Sequence, residues 1–169
     1  LTVSYFSLGQ PTIHMRGIGS NDDGAALDNS VVVYLDDIFV SRISSIDINL
    51  TDVERVEVLR GPQGTLYGRN TIGGAINVIS KPPSQEPELR LSATAGNYRH
   101  GAASAVISGP IKKDRLLAKV AVSGNRNDGW QKNIFLDEDQ HGRENLSVRS
   151  KLAYLPNQIF SLRLGADYT

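Results

Sequence analysis

With 169 residues and 18 basic against 18 acidic side chains, the chain carries no formal net charge and has the length of about one ordinary domain. At 40% hydrophobic and 21% charged it is too apolar and too balanced for a disordered segment, and a pI near 7.0 lacks the basic surplus of a broad nucleic-acid binder. The absence of cysteine excludes disulfide scaffolds, Cys-ligated zinc and cysteine nucleophiles. No apolar run approaches the roughly 18 residues of a membrane helix, which leaves open a spanning sheet of alternating strands.

Leu1 opens the chain without the charged, apolar and small-residue series of a signal peptide, and Asp167-Tyr168-Thr169 closes it inside an alternating run. Both ends therefore read as truncation points. Val31 to Leu35 is a continuous apolar run rich in β-branched residues and predicts a buried strand. Asp36-Asp37 predicts a turn, after which Ile38-Phe39-Val40 resumes the extended pattern. Thr51-Asp52-Val53-Glu54 has the spacing of a capping box and predicts one helical turn. Val56 to Leu59 reads as a strand stopped by Gly61-Pro62. Glycines at 61, 64, 68, 73 and 74 require tight turns or close approach of the backbone. Ala75 to Ser80 is one more strand, and Lys81-Pro82-Pro83-Ser84 breaks the chain.

After Glu88 the pattern changes to period two. Leu89, Leu91, Ala93 and Ala95 share one face against Arg90, Ser92 and Thr94. Leu116, Ala118, Val120 and Val122 oppose Lys119 and Ser123; Leu146, Val148, Leu152 and Tyr154 oppose Ser147, Arg149 and Lys151. Phe160, Leu162, Leu164, Ala166 and Tyr168 oppose Ser161, Arg163 and Asp167, and Ala102 to Gly109 fits in length. Runs of about ten residues with an apolar and a polar face suit a barrel in lipid, and a soluble sheet with one wet face gives the same alternation. The connections favour the barrel. Gly109 to Arg115 and Leu155 to Gln158 are short, whereas Gly96 to Gly101 and above all the polar Asn125 to Asn145 are longer, the asymmetry of outer-membrane barrels. Tyr98, Trp130, Tyr154 and Tyr168 lie near run ends, where interfacial aromatics belong.

Three stretches carry a family resemblance: Ile13-His14-Met15-Arg16-Gly17-Ile18-Gly19, Val33-Tyr34-Leu35-Asp36-Asp37, and the long run Val53 to Val78, which contains Val56-Glu57-Val58-Leu59-Arg60-Gly61-Pro62. Together they resemble the plug domain of TonB-dependent outer-membrane receptors. The resemblance implies an α+β plug (a small mixed sheet with short helices) over residues 1–83, a linker at 84–88, and about five antiparallel strands of a truncated transmembrane β-barrel over 89–169. A plugged barrel has roughly 22 strands, so these strands alone do not close one. One departure is Asp37, where the family usually has glycine.

The resemblance further implies transport rather than enzyme chemistry. A bulky scarce solute, by default a ferric siderophore, crosses the outer membrane of a Gram-negative bacterium when TonB pulls on the plug through an N-terminal box that this chain lacks. Outer-membrane lipid is the other partner, a monomer is expected, and no cofactor, metal or nucleic acid is called for. Arg16 and Arg60 match the plug arginines that pair with glutamates of the inner barrel wall; a local pair with Glu54 or Glu57 is the competing reading. Ligand contacts are implied at three apical loops, through Phe6 and Gln10, Ser20, Asn21 and Asp22, and Ser41, Arg42 and Ser44, with ordinary solvated loops as the alternative. Trp130 with Asn125, Arg126 and Asn127 is a lesser candidate.

Other signals lead nowhere. Gly61 to Gly68 lacks the Gly-Lys-Ser/Thr ending of a phosphate loop. His14, His100 and His141 are too scattered for zinc, and Asp137-Glu138-Asp139 does not complete a calcium loop. Two competitors to the transport reading are a soluble β-rich adhesion or carbohydrate-binding protein and a nucleotide-using enzyme built on the glycine-rich stretch.

Overall fold

The computed structural model describes residues 1–5, 11–19, 30–40, 51–68, 71–129, 131–133, 138–140, 142–157 and 159–169. The chain divides into two units, one of residues 1–48 and 53–81, the other of residues 49–52 and 82–169.

In the first unit, β1 (Thr2–Tyr5) and β2 (Pro11–His14) form an antiparallel hairpin. A four-stranded mixed sheet follows, in the order β4-β3-β6-β5, from β3 (Val31–Leu35), β4 (Ile38–Val40), β5 (Val53–Arg60) and β6 (Gly74–Ser80). β3 and β6 run parallel at its centre, with β4 and β5 antiparallel at the edges. The β-branched run Val31-Val32-Val33 is buried throughout, as expected of a central parallel strand. Met15, Val31, Val33, Ile76 and Val78 make the core, with Ile13, Leu35, Val53 and Val58 packed against it.

Helix is scarcer than the sequence suggests. Among the described residues there is one, α1 (Gly64–Tyr67), a single turn without a side-chain cap. The capping box at Thr51 to Glu54 does not cap a helix: Thr51 and Asp52 turn, and Val53 already belongs to β5. The alternating apolar residues Val53, Val56 and Val58 and the sheet pairing outweigh the weak local propensity of one cap motif.

The second unit is an antiparallel five-stranded sheet in the order β13-β12-β9-β8-β7. Its strands are β7 (Glu88–Ala95), β8 (Gly101–Lys112), β9 (Leu116–Asn127), β12 (Arg143–Tyr154) and β13 (Leu162–Tyr168). Each next neighbour is the next long strand in sequence, an up-and-down meander. The stretch from Asn125 to Asn145, read above as loop, is partly strand. β9 runs to Asn127, β12 restarts at Arg143, and β10 (Gln131–Asn133) pairs with β11 (Glu138–Gln140) as a hairpin between them. The last strand opens at Leu162 rather than Phe160, because Asn157 Oδ1 accepts the Ile159 and Phe160 amides and holds the chain in a turn.

Candidate functional site

Register places the polar residues of the second unit on one face. Glu88, Ser108, Lys119 and Lys151 lie in one row across the sheet, and Arg90, Val106, Ala121, Arg149 and Asp167 in the next. This face is the buried one: Lys119 is 2% exposed and Arg149 7%, alongside Ser108, Ser123 and Ser147. The opposite face carries Leu89, Leu91, Ile107, Val120, Val122, Leu146, Leu162 and Leu164, all exposed, with Leu91 at 72%. A sheet in water does the reverse, keeping its apolar side dry. Apolar out and polar in is the arrangement of a strand array surrounded by lipid.

The ion pairs on the buried face are internally matched. Arg90 Nη2 donates to Asp52 Oδ1 at 3.0 Å while Arg90 Nε lies 2.6 Å from Glu88 Oε1. Lys119 Nζ pairs with Asp52 Oδ2, and Arg149 Nε donates to Asp167. Tyr154 and Tyr168 stand exposed on the apolar face, and Tyr98 is exposed in the β7–β8 connection, where Asp128 N donates to its carbonyl. Trp130 lies outside the described residues.

In the first unit two turns organise the chemistry. Asp36 and Asp37 close the β3–β4 hairpin with φ of 50° and 67°, the geometry of a two-residue type I′ turn. Asp37 thus takes a left-handed position, and its side chain is put to use. Asn77 Nδ2 donates to Asp37 Oδ1 at 2.6 Å. Asp36 does the same on the next residue pair: its carboxylate accepts from Ser80 N at 2.9 Å and Ser80 Oγ at 2.6 Å. Nothing in the sequence signals these pairings, which cross the sheet between residues some forty positions apart. Tyr34 stacks edge-on against Tyr67 and donates to its carbonyl at 2.8 Å, fastening α1 to the sheet.

Arg16 sits in the turn after β2 with φ of 54°, and Arg60 ends β5; both are exposed. Gly74 joins their neighbourhoods. It pairs with Arg60 in register, and a Cβ built on it meets Met15 Sδ and Leu59 O, so no side chain fits there. Its φ of 143° is glycine territory besides. Among the described residues neither arginine makes an ion pair, and the competing local partners are taken: Glu54 and Glu57 both bind Arg55, each at 2.8 Å, which holds that guanidinium above its ordinary pKa chiefly through Glu57. The glycine-rich stretch is closed on itself by Gly61 N to Gly73 O at 3.1 Å and Gln63 N to Thr71 O at 3.0 Å. These bonds use up amides that a phosphate would need.

The apical ligand residues Phe6, Gln10, Ser20, Asn21, Asp22, Ser41, Arg42 and Ser44 all lie outside the described residues. Sequence reasoning missed the Asp36–Ser80, Asp37–Asn77 and Asp52–Arg90–Lys119 groups. Only Lys119 carried a signal, as a lone cation on the polar face of an alternating run.

A small mixed sheet joined to an inside-out strand array defines the class: a plug followed by outer-membrane barrel strands. Residues 1–75 match the family model of the TonB-dependent receptor plug domain. It is 32% identical over 147 residues to the pesticin receptor of Yersinia pestis, covering 86% of this chain and 21% of that protein. It is 34% identical over 126 residues to the iron-regulated outer membrane virulence protein of Vibrio cholerae, covering 69% and 18%. The crystal structure of the ferric yersiniabactin uptake receptor FyuA from Yersinia pestis superposes with a TM-score of 0.79 at 31% identity, over 88% of this chain and 23% of that one. The chain therefore spans about a fifth of the length of the relatives it matches.

Proposed function

We propose that the chain is the plug and opening barrel strands of an outer-membrane receptor that imports a ferric siderophore with energy delivered by TonB. The inverted burial of the second sheet carries this reading, since lipid is the surroundings in which exposed Leu91, Ile107 and Val122 are stable. Relatives named for iron regulation and ferric yersiniabactin uptake support the substrate class. In this reading residues 1–83 block the lumen and 84–88 lead into the wall. Arg16 and Arg60 seek glutamates on strands beyond this chain, which fits their exposure and lack of an ion pair among the described residues. The loops at Phe6 to Gln10, Ser20 to Asp23 and Ser41 to Ser45 hold the chelate through hydroxyl, amide and Arg42 groups. The receptor is monomeric, breaks no covalent bond and needs no cofactor of its own.

The test is a deletion strain supplied with single ferric chelates under iron starvation. Loss of growth and of radio-iron uptake on at least one chelate, restored by the gene and abolished by a proton uncoupler, is the expected result. Undiminished growth on every iron source overturns the substrate class.

A further inference from the structure

Asp52 is a fully buried carboxylate shared by two cations, and the receptor reading above gives it no role. It lies inside the residues matched by the plug family yet folds with the second unit, together with Thr51. Its backbone is left-handed, with φ of 66°, in a residue with a Cβ, and the β5–β6 ladder slips register directly after it, between Val53 and Arg55. Such backbone is kept where surrounding contacts over-determine it. Here those contacts are Arg90 on β7 and Lys119 on β9, strands that do not touch each other because β8 runs between them. The side chains of Asp52 and Lys119 are 0% and 1% exposed. Lys151, opposite Lys119, and Arg149, two residues on, add further positive charge to the same face. Asp52 is thus a carboxylate from outside the sheet that offsets the cationic excess of its polar face, whose strand-borne acids Glu88 and Asp167 are engaged by Arg90 and Arg149.

We propose that Asp52 is an anchoring carboxylate: bridging Arg90 and Lys119, it pins the chain entering β5 to the polar face of the strand sheet and stays seated while the receptor transports. A buried pair is costly to break from one side, because the abandoned partner keeps its desolvation penalty. That asymmetry favours a fixed post over a bond remade in every cycle. The anchor rests on the receptor reading, so its readout includes one that needs no ligand.

The experiment uses the intact receptor in cells. Asp52→Asn and Lys119→Met are each expected to admit a bulky antibiotic that the parent excludes, with at least a tenfold rise in sensitivity at equal receptor levels. The exchange Asp52→Lys with Lys119→Asp is expected to return sensitivity to within about threefold of the parent. Equal sensitivity of Asp52→Asn and parent, or an exchange pair no better than the single variants, overturns the anchor. Thr51 and Ser104 line one open cleft of about 770 Å³ beside Asp52. Thr51→Cys with Ser104→Cys, joined by a short cleavable thiol cross-linker, therefore tests whether the segment must leave. Uptake above half the uncross-linked rate supports a seated anchor; uptake abolished and then restored by cleavage refutes it, and also covers the case in which the charge variants fail to assemble. Failure of the parent itself to take up any chelate counts against the receptor reading alone, since antibiotic exclusion still reports on Asp52.

Discussion

In the sheet of the first unit Val31, Val33, Ile76 and Val78 point into a dry core, whereas in the sheet of the second Ser108, Lys119, Ser123 and Arg149 are kept from solvent beside Val106, Leu117 and Ala121. Both are built from strands with β-branched and small residues, but the central strands of the first are buried on both faces whereas those of the second alternate. The difference is the company each face keeps. The first unit keeps an apolar interior around Met15 and exposes Glu54, Arg55 and Arg60 together with the apolar Ile38 and Ile72. The second leaves Leu91, Ile107 and Leu164 outside and hydrogen-bonds its charges to one another within. Alternation reveals a two-faced sheet; which face is dry reveals the solvent.

The comparison breaks first at Met15. It is 1% exposed, sits at the centre of the first core and touches the space that Gly74 leaves open. Met15→Ala is expected to cost about 2–5 kcal/mol, the range for emptying a buried site of that size. Hydrogen-exchange protection of the β3 and β6 amides should fall accordingly, and unchanged protection places the core elsewhere.

Next comes Ile107, 64% exposed on the apolar face. In water an arginine at such a position changes stability by no more than about 0.5 kcal/mol. On the lipid face near the bilayer midplane it costs about 2–4 kcal/mol. Ile107→Arg therefore separates the two solvents in one measurement, the denaturant midpoint for folding of the receptor into lipid vesicles. A midpoint equal to the parent's would remove the lipid from the account.

Much of this was readable beforehand, and the physical reason is locality. The buried strand at Val31 to Leu35, the turn at Asp36-Asp37 and the long alternating runs are set by residues next to one another in sequence, and the structure has them where the pattern places them. The helical turn at Thr51 to Glu54 was misread because a capping motif is a statement about a few residues, and sheet pairing decided otherwise. The bonds of Asp36 to Ser80 and of Asp52 to Arg90 join residues brought together by topology, so no local signal marks them. The candidate site divides likewise. Arg16 and Arg60 are exposed, and the bonding of Glu54 and Glu57 to Arg55 was not legible.

The smallest effect concerns the turn at Asp36-Asp37. Asp37 holds a left-handed φ of 67°, a region that costs an L-residue roughly 1–2 kcal/mol and glycine almost nothing. Against that cost stand its bonds with Asn77, the donation from Nδ2 at 2.6 Å and a longer one from Asp37 N to Asn77 Oδ1 at 3.4 Å. The side-chain bond is worth about 0.5–1.5 kcal/mol, and a buried amide left without it loses about 1–3 kcal/mol. Asn77 is buried, so the upper part of that range applies. Asp37→Gly relieves the backbone while it orphans Asn77, and the two nearly cancel, leaving a change within about 1 kcal/mol. Asp37→Ala keeps the strain and loses the bond, so it should be the worse variant by about 1 kcal/mol or more. The pair is read as the difference between two unfolding midpoints. If alanine and glycine prove equal, the turn is not held in the left-handed region, and the aspartate is there for some reason other than its hold on β6.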